Sequence, residues 1–239
     1  MNLTVSNIGW DNNELFFSEI KKQGLNFIET IPNKVDLEYR KLLKKYDLKT
    51  LSAQSIFYGV ECLSFSDERF LKHFDFLINL SKEMGINTLV LGSPKLRHKD
   101  DLRHLNTIFN NLDIKLKETN IKVCIEPNAK IYGGQYFFTI KEIVDFINQN
   151  DFKNIKTMID THNSELEELD FIEEYKSYKD YIKHIHISKI GLENINNFEY
   201  YIDFFKLLKK YEYKDLITLE VLNLNNETIK EFKKLDIYY

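Results

Sequence analysis

The chain is poor in the residues that staple or punctuate a fold. Its 239 residues include 2 cysteines, 3 prolines, 8 glycines and 1 tryptophan. Cys62 and Cys124 cannot build a disulfide framework, so a reducing, cytoplasmic setting is the expectation. With little proline and no serine- or glycine-rich stretch, nothing marks a linker, and one domain over residues 1–239 is expected. No apolar run approaches the ~20 residues of a membrane span. The segment from Met1 to Trp10 reads as a strand and lacks the basic flank and cleavage site of a signal peptide. Positive charge is not in excess either: 33 Lys and Arg face 37 Asp and Glu, for a net charge of −4. A dedicated nucleic-acid binder shows the opposite balance.

What the chain does have is core. Hydrophobic residues make up 43%, with 18 Phe and 14 Tyr, which excludes a disordered polypeptide. Short β-type runs occur at Leu3–Ile8, Phe27–Ile31, Thr50–Ile56, Thr88–Leu91, Lys122–Glu126, Lys156–Asp160, Tyr181–Ser188 and Leu216–Val221. Between them, helical spacing of apolar residues marks Glu14–Lys22, Glu68–Met84, Leu102–Thr119, Thr139–Gln149, Leu166–Tyr175 and Tyr200–Tyr211. Gly24, Gly85 and Asn120 follow three of these, where left-handed C-caps are expected. Strand alternating with helix predicts parallel strands joined by right-handed crossovers, and eight such units close into a (β/α)₈ TIM barrel, an α/β fold. A doubly wound sheet is the alternative, but no G-x-G-x-x-G follows the first strand.

A barrel of this kind works at the C-terminal ends of its strands. The fifth run closes on Glu126 and the sixth on Asp160; the seventh carries His184 and His186, and the eighth Glu220. Each polar group follows an apolar run, so each is expected inside the barrel mouth. Period-two alternation puts His184, His186 and Ser188 on one face, with His186 nearer the mouth than His184. Three carboxylates and an imidazole from four successive strands form a ligand set for one divalent cation. Mn²⁺ or Mg²⁺ suits it best, with Co²⁺ or Zn²⁺ as alternatives. Without an ion, carboxylates converging in a dry cavity would repel and take up protons.

The order Glu, Asp, His, Glu on strands five to eight resembles the xylose isomerase-like barrels, which include sugar and sugar-phosphate isomerases and epimerases, polyol dehydratases and endonuclease IV. Gln54-Ser55, Leu91-Gly92-Ser93-Pro94, Glu126-Pro127-Asn128 and Tyr132-Gly133 are similar to its sugar-phosphate isomerase/epimerase branch. The resemblance implies that Glu126, Asp160, His186 and Glu220 bind the metal. It also implies that Glu126 and Glu220 move protons on and off the carbon beside a carbonyl, through a metal-stabilised enediolate. Return of the proton to the other face is epimerisation; return to the neighbouring carbon is isomerisation. The partner implied is a small sugar or sugar phosphate, with no nucleic acid and no membrane, and a homodimer is compatible.

Further candidates line the strand ends. Asn7 and Trp10 follow strand one, where the indole would stack on a sugar face; Glu29 ends strand two and Gln54 strand three. Asn128 and Tyr132 lie beyond Glu126. Many relatives carry a second His three residues after the strand-six Asp; here that position is Asn163, with His162 before it. His162, Asn163, His184 and Lys189 complete the expected substrate contacts. Lys95 and Arg97, after Gly92-Ser93-Pro94, offer a second anion contact, with surface exposure as the default. A lyase or dehydratase on the same scaffold is the alternative function. An endonuclease IV-like enzyme would want additional histidines where Gln54, Ser93 and Asn163 stand. A non-catalytic barrel would have no reason to keep all of Glu126, Asp160, His186 and Glu220.

Overall fold

The computed structural model describes residues 2–10, 13–62 and 64–239; Met1, included in the first-strand expectation, lies outside them. In chain order the elements are β1 (Asn2–Ser6), α1 (Glu14–Lys22), β2 (Phe27–Glu29), α2 (Leu37–Lys45), β3 (Ser52–Ala53), α3 (Glu68–Met84) and β4 (Thr88–Leu91). There follow α4 (Leu105–Leu116), β5 (Lys122–Ile125), α5 (Ile140–Asn150), β6 (Ile155–Asp160), α6 (Thr161–Leu166) and α7 (Phe171–Tyr178). The chain finishes with β7 (Ile182–Ile187), α8 (Ile202–Lys210), β8 (Leu216–Leu219) and α9 (Asn226–Lys234).

The strands pair in parallel in the order β2-β1-β8-β7-β6-β5-β4-β3. Isolated bridges Phe27↔Lys49 and Thr30↔Ala53 span the remaining gap between β2 and β3, so the sheet closes on itself except for this thin seam. The result is the expected α/β TIM barrel.

Local sequence explains the elements. Helix α3 starts where the Asp67 side chain accepts from Arg69 N, and ends at Gly85, whose φ of 78° suits a residue without a Cβ. Its buried face includes Phe70, Phe74 and Leu77, each worth ~1.5–3 kcal/mol of burial. Gly24, with φ 73°, likewise follows α1. Asn120 does not cap a helix: α4 stops at Leu116 and its cap, Lys117, is right-handed at φ −53°. The segment expected as one helix from Leu102 divides into a 3₁₀ turn over Lys99–Arg103 and α4. The run expected at Leu166–Tyr175 divides between α6 and α7, because Asp170 caps a fresh helix at Phe171. The Lys-rich α2 and α9 were not expected; each buries three residues on one face behind a side-chain N-cap, Asp36 or Asn225, but polar residues outnumber apolar ones in both. Strand β3 shrinks to two residues, with Ser55 already at φ 49°.

Two apolar clusters fill the layer between strands and helices, one around Ile28, Phe204 and Phe232, the other around Phe70, Phe109 and Ile125. The barrel interior is different. Among the described residues, Val90, Cys124 and Met158 form a small apolar plug there. Two residues further along the same strands, on the same face, stand Gly92, Glu126 and Asp160. The alternation that buries the plug therefore aims the acids into the mouth. Cys62 and Cys124 are both free and buried, and burial pushes both thiols up. Among the described residues no helix is long and apolar enough to cross a membrane.

Candidate active site

Strand pairing carries each acid to the same end of the barrel. Glu126 N donates to Leu91 O at 3.1 Å and Glu220 N to Ile187 O at 3.0 Å, so both continue their ladders by one residue. Asp160 sits in register with His186 across β6 and β7. Its Oδ1 accepts from His162 N at 2.9 Å, which starts α6, and from the Ser188 hydroxyl. Asn163, in the first turn of α6, donates through Nδ2 to Asp160 Oδ2 at 3.0 Å and to Glu126 Oε1 at 3.2 Å. Its Oδ1 accepts from Ala129 N at 3.0 Å, tying the loop after β5 to the same amide. Expected as a substrate contact, Asn163 thus bridges two carboxylates.

Those carboxylates repel. Burial drives the Glu126 carboxyl well above the usual range, and Asp160 and Glu220 push it further than His186 can offset. Glu126 remains half-buried, while Asp160, His186 and Glu220 are nearly sealed. His186 Nδ1 lies 3.0 Å from Glu220 Oε2. Burial opposes charge on His186, but Glu29 and Glu220 outweigh it and hold the imidazole well above its ordinary range. Ligand atoms of Glu126, Asp160 and His186 lie within 4.8 Å of one another, a group able to hold a metal ion. Glu29, His184 and His186 form a second such group, deeper in the barrel.

Glu29 was expected to line the substrate pocket. It is instead fully buried beneath the mouth, 2.7 Å from His184 Nε2 and 2.8 Å from His186 Nε2. Burial would raise its carboxyl, yet the two facing imidazoles hold it well below the usual range. His184 likewise lies in this inner layer, beside Thr218 Oγ1 at 3.3 Å. Gln54 is buried and donates to the Ser6 hydroxyl. Asn7 spends its amide on the end of β2, donating to Thr30 Oγ1 at 3.2 Å and accepting from Ile31 N at 3.1 Å. Trp10 is half-buried against Phe16, with ring centroids 5.1 Å apart. Asn128 is buried, with Oδ1 lacking a protein partner. His162 is buried too; its Nε2 contacts the Tyr132 hydroxyl while Nδ1 has no protein partner. Lys189 is exposed and lines an outer hollow with Glu165 and Tyr200, away from the carboxylates.

Two residues that hold this arrangement went unassigned at the sequence level. A Cβ on Gly92 would lie 2.3 Å from Glu126 Oε2, so glycine there makes room for the carboxylate. Arg97, expected at the surface, is 1% exposed. Its guanidinium donates to Phe137 O at 2.9 Å, Gly92 O at 2.7 Å, Glu126 O at 2.8 Å and Leu91 O at 3.3 Å. It pins the ends of β4 and β5 together, a use that suits a planar fork of donors better than an ammonium. Burial pushes its pKa down to about 10, and the neighbouring Glu126 charge works against that fall. No local signal marks such a residue, because its acceptors assemble only when β4 and β5 pair.

Fold and site together define a (β/α)₈ barrel with a carboxylate–imidazole cluster at the C-terminal mouth. The chain belongs to the xylose isomerase-like TIM barrel family, whose model matches residues 5–236. Among solved structures it is similar to 3-keto-D-glucoside 4-epimerase from E. coli, with TM-score 0.80, 17% identity and 99% of each chain covered. An AP endonuclease of family 2 from Brucella melitensis gives TM-score 0.80 at 17% identity, over 98% of this chain and 99% of that one. D-allulose 3-epimerase from Methylomonas sp., in complex with D-allulose, gives 0.76 at 16%, over 100% and 97%. At such identities the likeness is one of fold. No curated protein matches significantly by sequence.

Proposed function

We propose that this protein is a divalent-metal-dependent isomerase or epimerase of a sugar or sugar phosphate, acting by proton transfer at the carbon beside a carbonyl. The observation that carries the reading is the convergence of Glu126, Asp160 and Glu220 on His186 at the barrel mouth. The donor set fits a divalent cation, whose charge would offset the repulsion among the carboxylates, and Glu126, Asp160, His186 and Glu220 are the residues that would hold it. Bound there, a divalent cation supplies Lewis acidity toward a carbonyl oxygen.

The chain's own groups supply the rest. Glu126, half-buried at the end of β5 and held by the Asn163 amide, is one carboxylate able to take or return a proton. Glu220, on β8's end, is the second carboxylate able to take or return one. Asn163 holds Glu126 and Asp160 at fixed separation, so little reorganisation accompanies the transfer. The epimerases of the same fold support this reading. The endonuclease is a weaker guide, since a net charge of −4 suits a phosphate backbone poorly.

The test is deuterium exchange. Protein loaded with Mn²⁺ is incubated in D₂O with a panel of ketoses and ketose phosphates, and label is followed by NMR beside Glu220→Gln. Exchange is expected only with metal and with Glu220 intact, and the labelled carbon separates epimerase from isomerase. A product lighter by water would transfer the reading to a dehydratase. Full exchange by Glu220→Gln would remove Glu220 from the chemistry.

A further inference from the structure

His186 presents its two ring nitrogens to different surroundings. Nδ1 is 3.0 Å from Glu220 Oε2, and Nε2 is 2.8 Å from Glu29 Oε2. The other Glu29 oxygen lies 2.7 Å from His184 Nε2. The two imidazole rings stand 4.9 Å apart and nearly perpendicular, at 77°, so one carboxylate can reach both. Glu29 and His184 are 0% exposed and His186 1%. The pairs are within hydrogen-bond distance, but neither Glu29 oxygen nor His186 Nε2 has an aligned hydrogen bond here, and His184 Nε2 also faces Thr218 Oγ1 at 3.3 Å. A carboxylate sealed between two rings at this depth is out of a substrate's reach.

We propose that Glu29 is a positioning residue that takes the Nε2–H of both His184 and His186, so that His186 offers Nδ1, not Nε2, to the cation. This rests on the metal reading above. A metal-binding imidazole keeps one N–H, and the partner of that N–H decides which nitrogen has the free lone pair. A carboxylate in that role also steadies the ring and makes the ligating nitrogen more basic. The competing use of the same residues is a second ion held by Glu29, His184 and His186 themselves. Oxygen–nitrogen separations of 2.7 and 2.8 Å are hydrogen-bond lengths. An ion with ligands at about 2.0–2.2 Å would force these pairs apart.

The experiment uses protein labelled with ¹⁵N-histidine, loaded with Zn²⁺, and long-range proton–nitrogen NMR. In the wild type His186 is expected to show Nδ1 bound to zinc and Nε2 protonated, with one ion per chain by elemental analysis. Glu29→Gln keeps the shape but offers one acceptor and one donor, so it can serve only one ring. Its zinc affinity is expected to fall about 10–100-fold by calorimetry, with the stoichiometry unchanged. The wild-type spectrum needs no variant, so the inference is testable even if Glu29→Gln folds poorly. Zinc on Nε2 of His186, or Glu29→Gln with wild-type affinity and ring state, would overturn the inference alone. Two ions in the wild type and one in Glu29→Gln would replace it with a ligand role for Glu29. No zinc bound by the wild type would bring down the metal reading, and this inference with it.

Discussion

At the scale of single residues, the seat of Glu126 is defined by what is missing opposite it. Because a Cβ on Gly92 would meet Glu126 Oε2 at 2.3 Å, Gly92→Ala must displace the carboxylate or the strand end that carries it. We expect Gly92→Ala to lose about 10-fold or more in Mn²⁺ affinity by titration calorimetry with little cost in stability, since the atom it would meet is the far end of the Glu126 side chain. Wild-type affinity in this variant would argue that Glu126 is not a ligand. The acids themselves were legible in the sequence, since Glu126, Asp160 and Glu220 each end an apolar run. Gly92 and Arg97 were not. A glycine after a strand has many uses, and an arginine followed by His98 and Lys99 reads as solvated until its four carbonyl acceptors are in place.

At the scale of elements, the barrel is unevenly knitted. Strands β6 and β7 pair over several residues, whereas β2 meets β3 through isolated bridges such as Thr30↔Ala53. The seam rests on backbone bonds from Thr30 N to Ser52 O at 3.2 Å and Gln54 N to Thr30 O at 2.9 Å. Hydrogen-exchange mass spectrometry is therefore expected to show the amides of Thr30 and Gln54 exchanging before those of Ile185 and Ile187. Equal protection would mean the barrel opens only as a whole. The thinness of β3 was not legible: Thr50–Ile56 is apolar enough for a longer strand, but Ser55 takes φ 49° and turns the chain away. Long α3 was legible to the residue, because its cap, apolar stripe and terminal glycine agree. Short, Lys-rich α2 and α9 also carry N-caps and bury three residues on one face each, but they lack a terminal glycine and are polar outside that face.

At the scale of the molecule, the acid cluster makes the metal-free fold sensitive to pH. Glu126 keeps its proton well above the ordinary carboxylate range, because burial, Asp160 and Glu220 oppose its charge. From that ordinary range up to its raised value, the folded state binds more protons than the unfolded chain, so stability falls as pH rises. His186 adds stability that is whole below the ordinary imidazole range and is lost as pH rises through its own raised value. Both act in one direction. The melting temperature of chelated protein is expected to decline from mildly acidic to mildly alkaline pH. Mn²⁺ at 100 times its Kd should add about 2.7 kcal/mol and flatten the decline. A flat chelated profile with no response to Mn²⁺ would remove the cluster as a metal site.

The sequence by itself determined the repeat, the parallel barrel and the face on which each strand-end polar residue lies. Those follow from spacing along the chain, where periods of 2 and 3.6 are read directly. Tertiary structure alone decided depth and partnership. Glu29 and His184 became an inner layer beneath His186, Asn163 became the bridge between Glu126 and Asp160, and Arg97 became the pin of β4 and β5. Periodicity says which way a side chain points, but the neighbour it meets across a closed barrel comes from a distant part of the chain. Glu29 meets His186 only because closure brings β2 and β7 to face the same interior.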